Sequence, residues 1–155
     1  MATSTSSSSI PSTTTITPNF VTHTGHCHCG NVKFEVDTLT PDIIVWDCNC
    51  SICRLKRNVH FIIPSSQFRL LTPLSNMTLY QFNTKVAKHY FCSTCGVQAY
   101  YHPRSNPDGV AITLNCITST NIKTVTTKFY DGIHWEDAYQ QTGIKSQSQV
   151  VTEEK

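Results

Sequence analysis

Short apolar stretches separated by turn residues run along the chain, and one of them alternates with a period of two. In VKFEVD (32–37), Val32, Phe34 and Val36 alternate with Lys33, Glu35 and Asp37. That is the pattern of a strand with one buried face. DIIVWD (42–47) is a short apolar run rich in β-branched residues and also reads as a strand. Further strands are predicted over residues 59–64, 68–71, 77–82, 88–92, 97–102, 110–117 and 124–131, with Pro64, Pro73 and Ser/Asn turns between them. Only WEDAYQQ (135–141) has a helical look. Many short strands at close spacing predict an all-β sandwich or open barrel, with one short C-terminal helix at most.

The ends break the pattern. Residues 1–20, MATSTSSSSIPSTTTITPNF, carry neither a charged side chain nor an apolar segment. A secretory signal needs a basic start and an apolar stretch of about 7–15 residues. Residues 1–22 are therefore expected to be a Ser/Thr-rich tail too polar to fold. Residues 23–143 are expected to form one domain, and 144–155 a polar tail. A plastid transit peptide is also Ser-rich and acid-poor, but it is usually longer and carries Arg. The compartment expected is the cytoplasm, with the nucleus second and a plastid third. A net charge of +2 and no block of like charges give no reason to expect a nucleic-acid partner. No apolar run approaches the roughly 18 residues of a membrane span, so no membrane partner is expected either.

Composition changes the picture at one residue type. Eight of 155 residues are cysteine. In a reducing compartment such clustering points to metal rather than disulfides. Seven of the eight fall into three groups: Cys27 and Cys29; Cys48, Cys50 and Cys53; Cys92 and Cys95. A C-x-C pair spans about 7 Å when extended and does not readily bridge itself, and seven thiols leave one over. C-x-x-C before Gly96 is a turn that aims two thiolates at one ion. Seven ligands divide into a closed site of four and an open site of three, as structural and catalytic zinc sites do. The 48–53 group can converge on one ion by itself, which leaves the two outlying pairs to make the closed site. Seven thiolates subtract seven charges and two Zn²⁺ return four, so the formal charge would move from +2 to −1. Cys116, alone in an apolar strand, reads as a core residue.

Four stretches then carry a resemblance: GHCHCGNVKFEV (25–36), DCNCSICRLKRNVHFIIP (47–64), YQFNTKVAKHYFCSTCGVQAYYHPRSNPDG (80–109) and LNCI (114–117). They resemble the family of glutathione-dependent formaldehyde-activating enzymes and centromere protein V, and the third looks like the eukaryotic centromere-protein-V branch. The resemblance implies stacked short antiparallel sheets in a β-tent stabilised by zinc. It implies a structural zinc on Cys27, Cys29, Cys92 and Cys95, and a more labile one on Cys48, Cys50 and Cys53. It implies a carbon–sulfur lyase-type activity that forms and cleaves S-hydroxymethylglutathione from glutathione and formaldehyde. The alternative is a zinc-stabilised interaction module without turnover. The chain lacks the long basic or proline-rich N-terminal extension of the animal centromere protein, which weakens that alternative.

The open position suits a substrate sulfur, because coordination would deprotonate a thiol of ordinary pKa about 8.5. Cys48, Cys50 and Cys53 are thus the candidate catalytic residues. Glutathione is anionic, so the mouth of the site should be basic. RLKR directly follows the third cysteine, and Arg54, Lys56 and Arg57 are the candidates, with Lys88 and Arg104 behind them. His60 and His89 are read as hydrogen-bonded structural histidines, with proton transfer as the alternative. His26 and His28 are read as loop positions beside a complete ligand set. Tyr100, Tyr101, Phe91 and Phe82 are read as core, and PRSNPDG (103–109) as a turn-rich loop on the pocket wall by resemblance.

Overall fold

Successive residues of β4 (Val59–Pro64) point to opposite sides of a sheet, and both sides are buried. Phe61 and Ile63 enter one apolar cluster and Ile62 another. The same alternation runs through β3 (Asp42–Cys48), where Ile43 and Val45 face the first cluster and Trp46 and Cys48 the second. In β9 (Gly109–Thr113), Val110 and Ile112 part from Ala111 in the same way. A pleated sheet sends neighbours to opposite faces, so the molecule has two cores, one on each face of one large sheet.

The computed structural model describes residues 19–150. The large sheet has the order β10-β3-β4-β9-β8-β7-β6, with β6 at Met77–Tyr80, β7 at Lys88–Cys92, β8 at Tyr100–His102 and β10 at Thr124–Tyr130. A smaller sheet, β1 (Val21–His26), β2 (Lys33–Thr38) and β5 (Phe68–Leu70), supplies Phe34 and Val36 to the first core. The second core is covered by α2 (Trp135–Gln141), through Ala138, and by Ile144. The chain is mainly β, as expected.

Several local expectations need correction. β1 begins at Val21, ahead of the expected boundary. Its buried positions are His23 and Gly25 rather than aliphatic residues, so it has no apolar period to read. His23 is buried by bonding Thr38 Oγ1 through Nε2 at 2.8 Å. Gly25 is pressed so close to Phe34 that a Cβ would stand 2.3 Å from its ring. A second helix, α1 (Ser51–Lys56), lies where none was expected. β10 pairs with β3 in parallel, so the sheet is not wholly antiparallel. Residues 114–116 leave the extended conformation for a 3₁₀ turn.

Packing also continues past Gly143. Residues 144–148 form a 3₁₀ turn in which Ile144 and Ser148 are buried. Asn106 holds it, its Nδ2 donating to the Ile144 and Lys145 carbonyls and to Ser148 Oγ. Of the Ser/Thr-rich tail expected over 1–22, residues 1–18 lie outside the described residues, as do 151–155. Among the described residues no helix is long and apolar enough to cross a membrane.

Candidate metal centres and active-site cavity

The seven grouped cysteines assemble into two clusters, Cys27 with Cys29, Cys92 and Cys95, and Cys48 with Cys50 and Cys53. In each, the sulfurs lie within 4.8 Å of one another. All eight cysteines are free thiols.

The cluster of four is built from two turns. The first follows β1, where the Cys27 carbonyl accepts from the Gly30 N–H at 3.1 Å. The second follows β7, where the Cys92 carbonyl accepts from the Gly96 N–H at 2.9 Å. Gly30 and Gly96 both have positive φ, at 80° and 74°, which a side chain would resist. The Val32 N–H approaches Cys27 Sγ at 3.3 Å. The turn's own amides, that of Cys95 first, hold the Cys92 thiol below its ordinary range. Cys29 Sγ stands 3.6 Å from both Cys27 Sγ and Cys92 Sγ. Four sulfurs at about 2.3 Å from a tetrahedral ion would be about 3.8 Å apart. The donors therefore fit such an ion closely.

The cluster of three is built on one reversal. β3 delivers Cys48, Cys50 stands at the N-cap of α1, and Cys53 lies one turn inside that helix. The Cys50 N–H approaches Cys48 Sγ at 3.4 Å. Asn49 ties the reversal to the chain after β10, donating to Asp131 Oδ1 at 2.9 Å and accepting the Ile133 N–H at 3.1 Å. Gly132 lies against the cysteines, where a Cβ would be 2.6 Å from Cys48 Sγ. Hydrogen bonds from the Cys48 and Cys53 thiols hold Cys50 down at about 2. Sharing that charge pushes Cys48 up to about 11 and Cys53 well above its usual value. A cation at the trio would favour the thiolate form of all three. Soft, convergent thiolates suit zinc or another thiophilic metal.

The two clusters occupy different cores. Cys27 and Cys92 pack into the first, and Cys48 and Cys53 into the second, across the sheet. The trio opens on a cavity of about 270 Å³, whose walls include His60, His89, Tyr101, Arg104, Tyr130 and Trp135. His60 and Tyr101 line the cavity together with the trio. Tyr101 Oη lies 3.0 Å from His60 Nε2 and stands within reach of Cys53. Burial holds His60 neutral, at about 4, and pushes the Tyr101 hydroxyl far up. The structural reading of His60 thus agrees with its contacts. His89 differs. Its ring is stacked on Tyr101 at 4.9 Å, is 2% exposed, and keeps Nδ1 without a hydrogen-bond partner among the described residues.

The basic mouth is not where adjacency to Cys53 put it. Arg54, Lys56 and Arg57 are absent from the cavity wall. Cys53 is the buried residue of α1, and the residues beside it turn outward. Lys56 Nζ donates to Gln98 Oε1 at 2.7 Å, and Lys56 and Arg57 border a separate groove beside Cys27. Lys88 is also absent from the wall, whereas Arg104 is on it. The resemblance-based place of PRSNPDG on the wall agrees with this, through Pro103, Arg104 and Ser105. Tyr101 and Phe82, read as core, also line the cavity. Tyr130 and Trp135 had no signal beyond being aromatic.

Comparison with known proteins agrees with this architecture. The chain is similar to a protein of Rhodobacter sphaeroides of known crystal structure, with 33% identity and a TM-score of 0.58. The match covers 68% of this chain and 99% of that one. Residues 22–132 match the family model described as glutathione-dependent formaldehyde-activating enzyme, and with more than half its length matched the chain belongs to that family.

Proposed function

We propose that the chain is a zinc-dependent enzyme of carbon–sulfur lyase type, which forms and cleaves S-hydroxymethylglutathione or a related adduct of a thiol and an aldehyde. The observation that carries the reading is the trio Cys48, Cys50 and Cys53, gathered on the wall of a cavity with no fourth Cys, His, Asp or Glu in the group among the described residues. A module that needed only stability would be served by the cluster of four.

Cys27, Cys29, Cys92 and Cys95 would hold a structural zinc, and Cys48, Cys50 and Cys53 a second. Zinc bound at the trio would supply thiol deprotonation at neutral pH. The remaining work falls to the chain. Tyr130 and Trp135 wall off water, while Tyr101 and His60 keep Cys53 in place. In cleavage the hydroxyl proton of the adduct passes to the neutral His89 imidazole. The carbon–sulfur pair leaves on sulfur, and the carbon–oxygen double bond forms. Formation runs these steps backwards, with the proton returned from His89 to oxygen. Burial lowers the His89 pKa, which keeps the ring neutral and ready to accept.

The test is an exchange-NMR assay with glutathione and formaldehyde, comparing the zinc-loaded protein with its Cys48→Ser variant. Acceleration by the first and not the second supports the enzyme. Equal rates for both, matching the uncatalysed mixture, would leave the interaction module as the better reading.

A further inference from the structure

Arg104 occupies an unusual position. It follows β8 on the cavity wall, in the loop that Asn106 pins to the 144–148 turn. Its guanidinium carbon lies over the Trp135 ring, 3.6 Å from the centroid. One nitrogen pairs with Glu136, which is largely exposed. A guanidinium held in this way stays over the indole and offers its edge to a carboxylate. Among the described residues it is the only lysine or arginine on the wall, which carries no described aspartate or glutamate.

We infer that Arg104 is the specificity-determining residue for a substrate carboxylate, and that Glu136 is a built-in competitor which the incoming carboxylate displaces. The inference rests on the proposed thiol substrate and assigns the group that selects an acidic thiol over a neutral one. Glu136 occupies Arg104 in the resting state, and its exposure makes the exchange cheap, because a solvated ion pair is weak. A substrate carboxylate in the cavity binds the same edge with less water around it, where the pairing is stronger. Trp135 keeps the guanidinium from swinging away during the exchange.

Calorimetric titration of the zinc-loaded protein with glutathione and with its diethyl ester tests this without requiring turnover. The wild type should bind glutathione about tenfold more tightly than the ester. Arg104→Met should remove that preference while the melting temperature stays near that of the wild type. Glu136→Gln should widen the preference severalfold. No preference in the wild type, or a preference that survives Arg104→Met, would overturn the assignment. A Glu136→Gln variant identical to the wild type would overturn the competitor. An enzyme-dead protein that still shows the Arg104-dependent preference would sink the proposed reaction but not this site.

Discussion

Cys48 and Cys92 carry the same thiol into opposite faces of one sheet, and the difference in setting predicts opposite phenotypes. Cys92 belongs to the first core and joins two turns 63 residues apart. Cys92→Ser should strip that metal and destabilise the fold by roughly 5 kcal/mol or more, since a closed thiolate site contributes folding energy directly. Cys48→Ser should lose the second metal and the activity, yet shift stability by only about 1 kcal/mol. Metal analysis beside thermal melts checks both, and variants that behave alike would refute the division of roles. His60 supplies a pH signature. Its folded pKa of about 4 lies below the ordinary value of 6.5. The unfolded chain therefore binds more protons between those values, and stability falls as pH drops from 6.5 towards 4, by up to about 3 kcal/mol. A His60 imidazole resonance that titrates near 6.5 in the folded protein would contradict this. At this scale the grouping of the cysteines was legible, because C-x-C and C-x-x-C spacings bring thiols together. The cations were not. Arg54 neighbours Cys53 in sequence, but a helix turns by about 100° per residue and carries it away from the cavity, while Arg57 stands at the left-handed cap that ends the helix.

Between elements, the reversal at 48–53 depends on the close passage of the chain after β10. Gly132→Ala would place a methyl 2.6 Å from Cys48 Sγ. It should weaken metal binding at the trio by about tenfold or more and leave the closed site intact. Competition with a chelator would distinguish the two sites. The turn over 144–148 depends on three hydrogen bonds from one amide. Asn106→Ala should cost about 2–4 kcal/mol in urea unfolding, and a neutral result would mean that the turn is not held there. The strands from 32 to 113 were readable from alternation in VKFEVD and from short apolar, β-branched runs between turn residues elsewhere. α1 was not, because six residues with two outward cations and one buried cysteine show no helical stripe. β1 hid for a different reason, its inward positions being a histidine and a glycine. The last turn looked like tail because one buried isoleucine among polar residues does not make a period.

For the whole molecule, the proposed function assigns stability to one cluster and chemistry to the other. One large sheet is buried on both sides, with a closed sulfur cluster in one core and an open one in the other. The all-β class and the division of cysteines into four and three could be reached from sequence, whereas the two-sided burial could not. A single strand's period says which residues share a face, not what covers each face. The parallel β10–β3 pair was equally hidden, since its direction depends on the path of the chain between them. The central claim is that a thiol enters the coordination sphere of a metal held by only three protein sulfurs. X-ray absorption at the zinc edge, with both clusters loaded, tests it most directly. Before substrate, seven sulfurs should be shared by the two ions. On adding glutathione the average should rise to eight sulfurs per two ions, in the wild type and not in Cys48→Ser. A sulfur count that glutathione leaves unchanged would contradict the account.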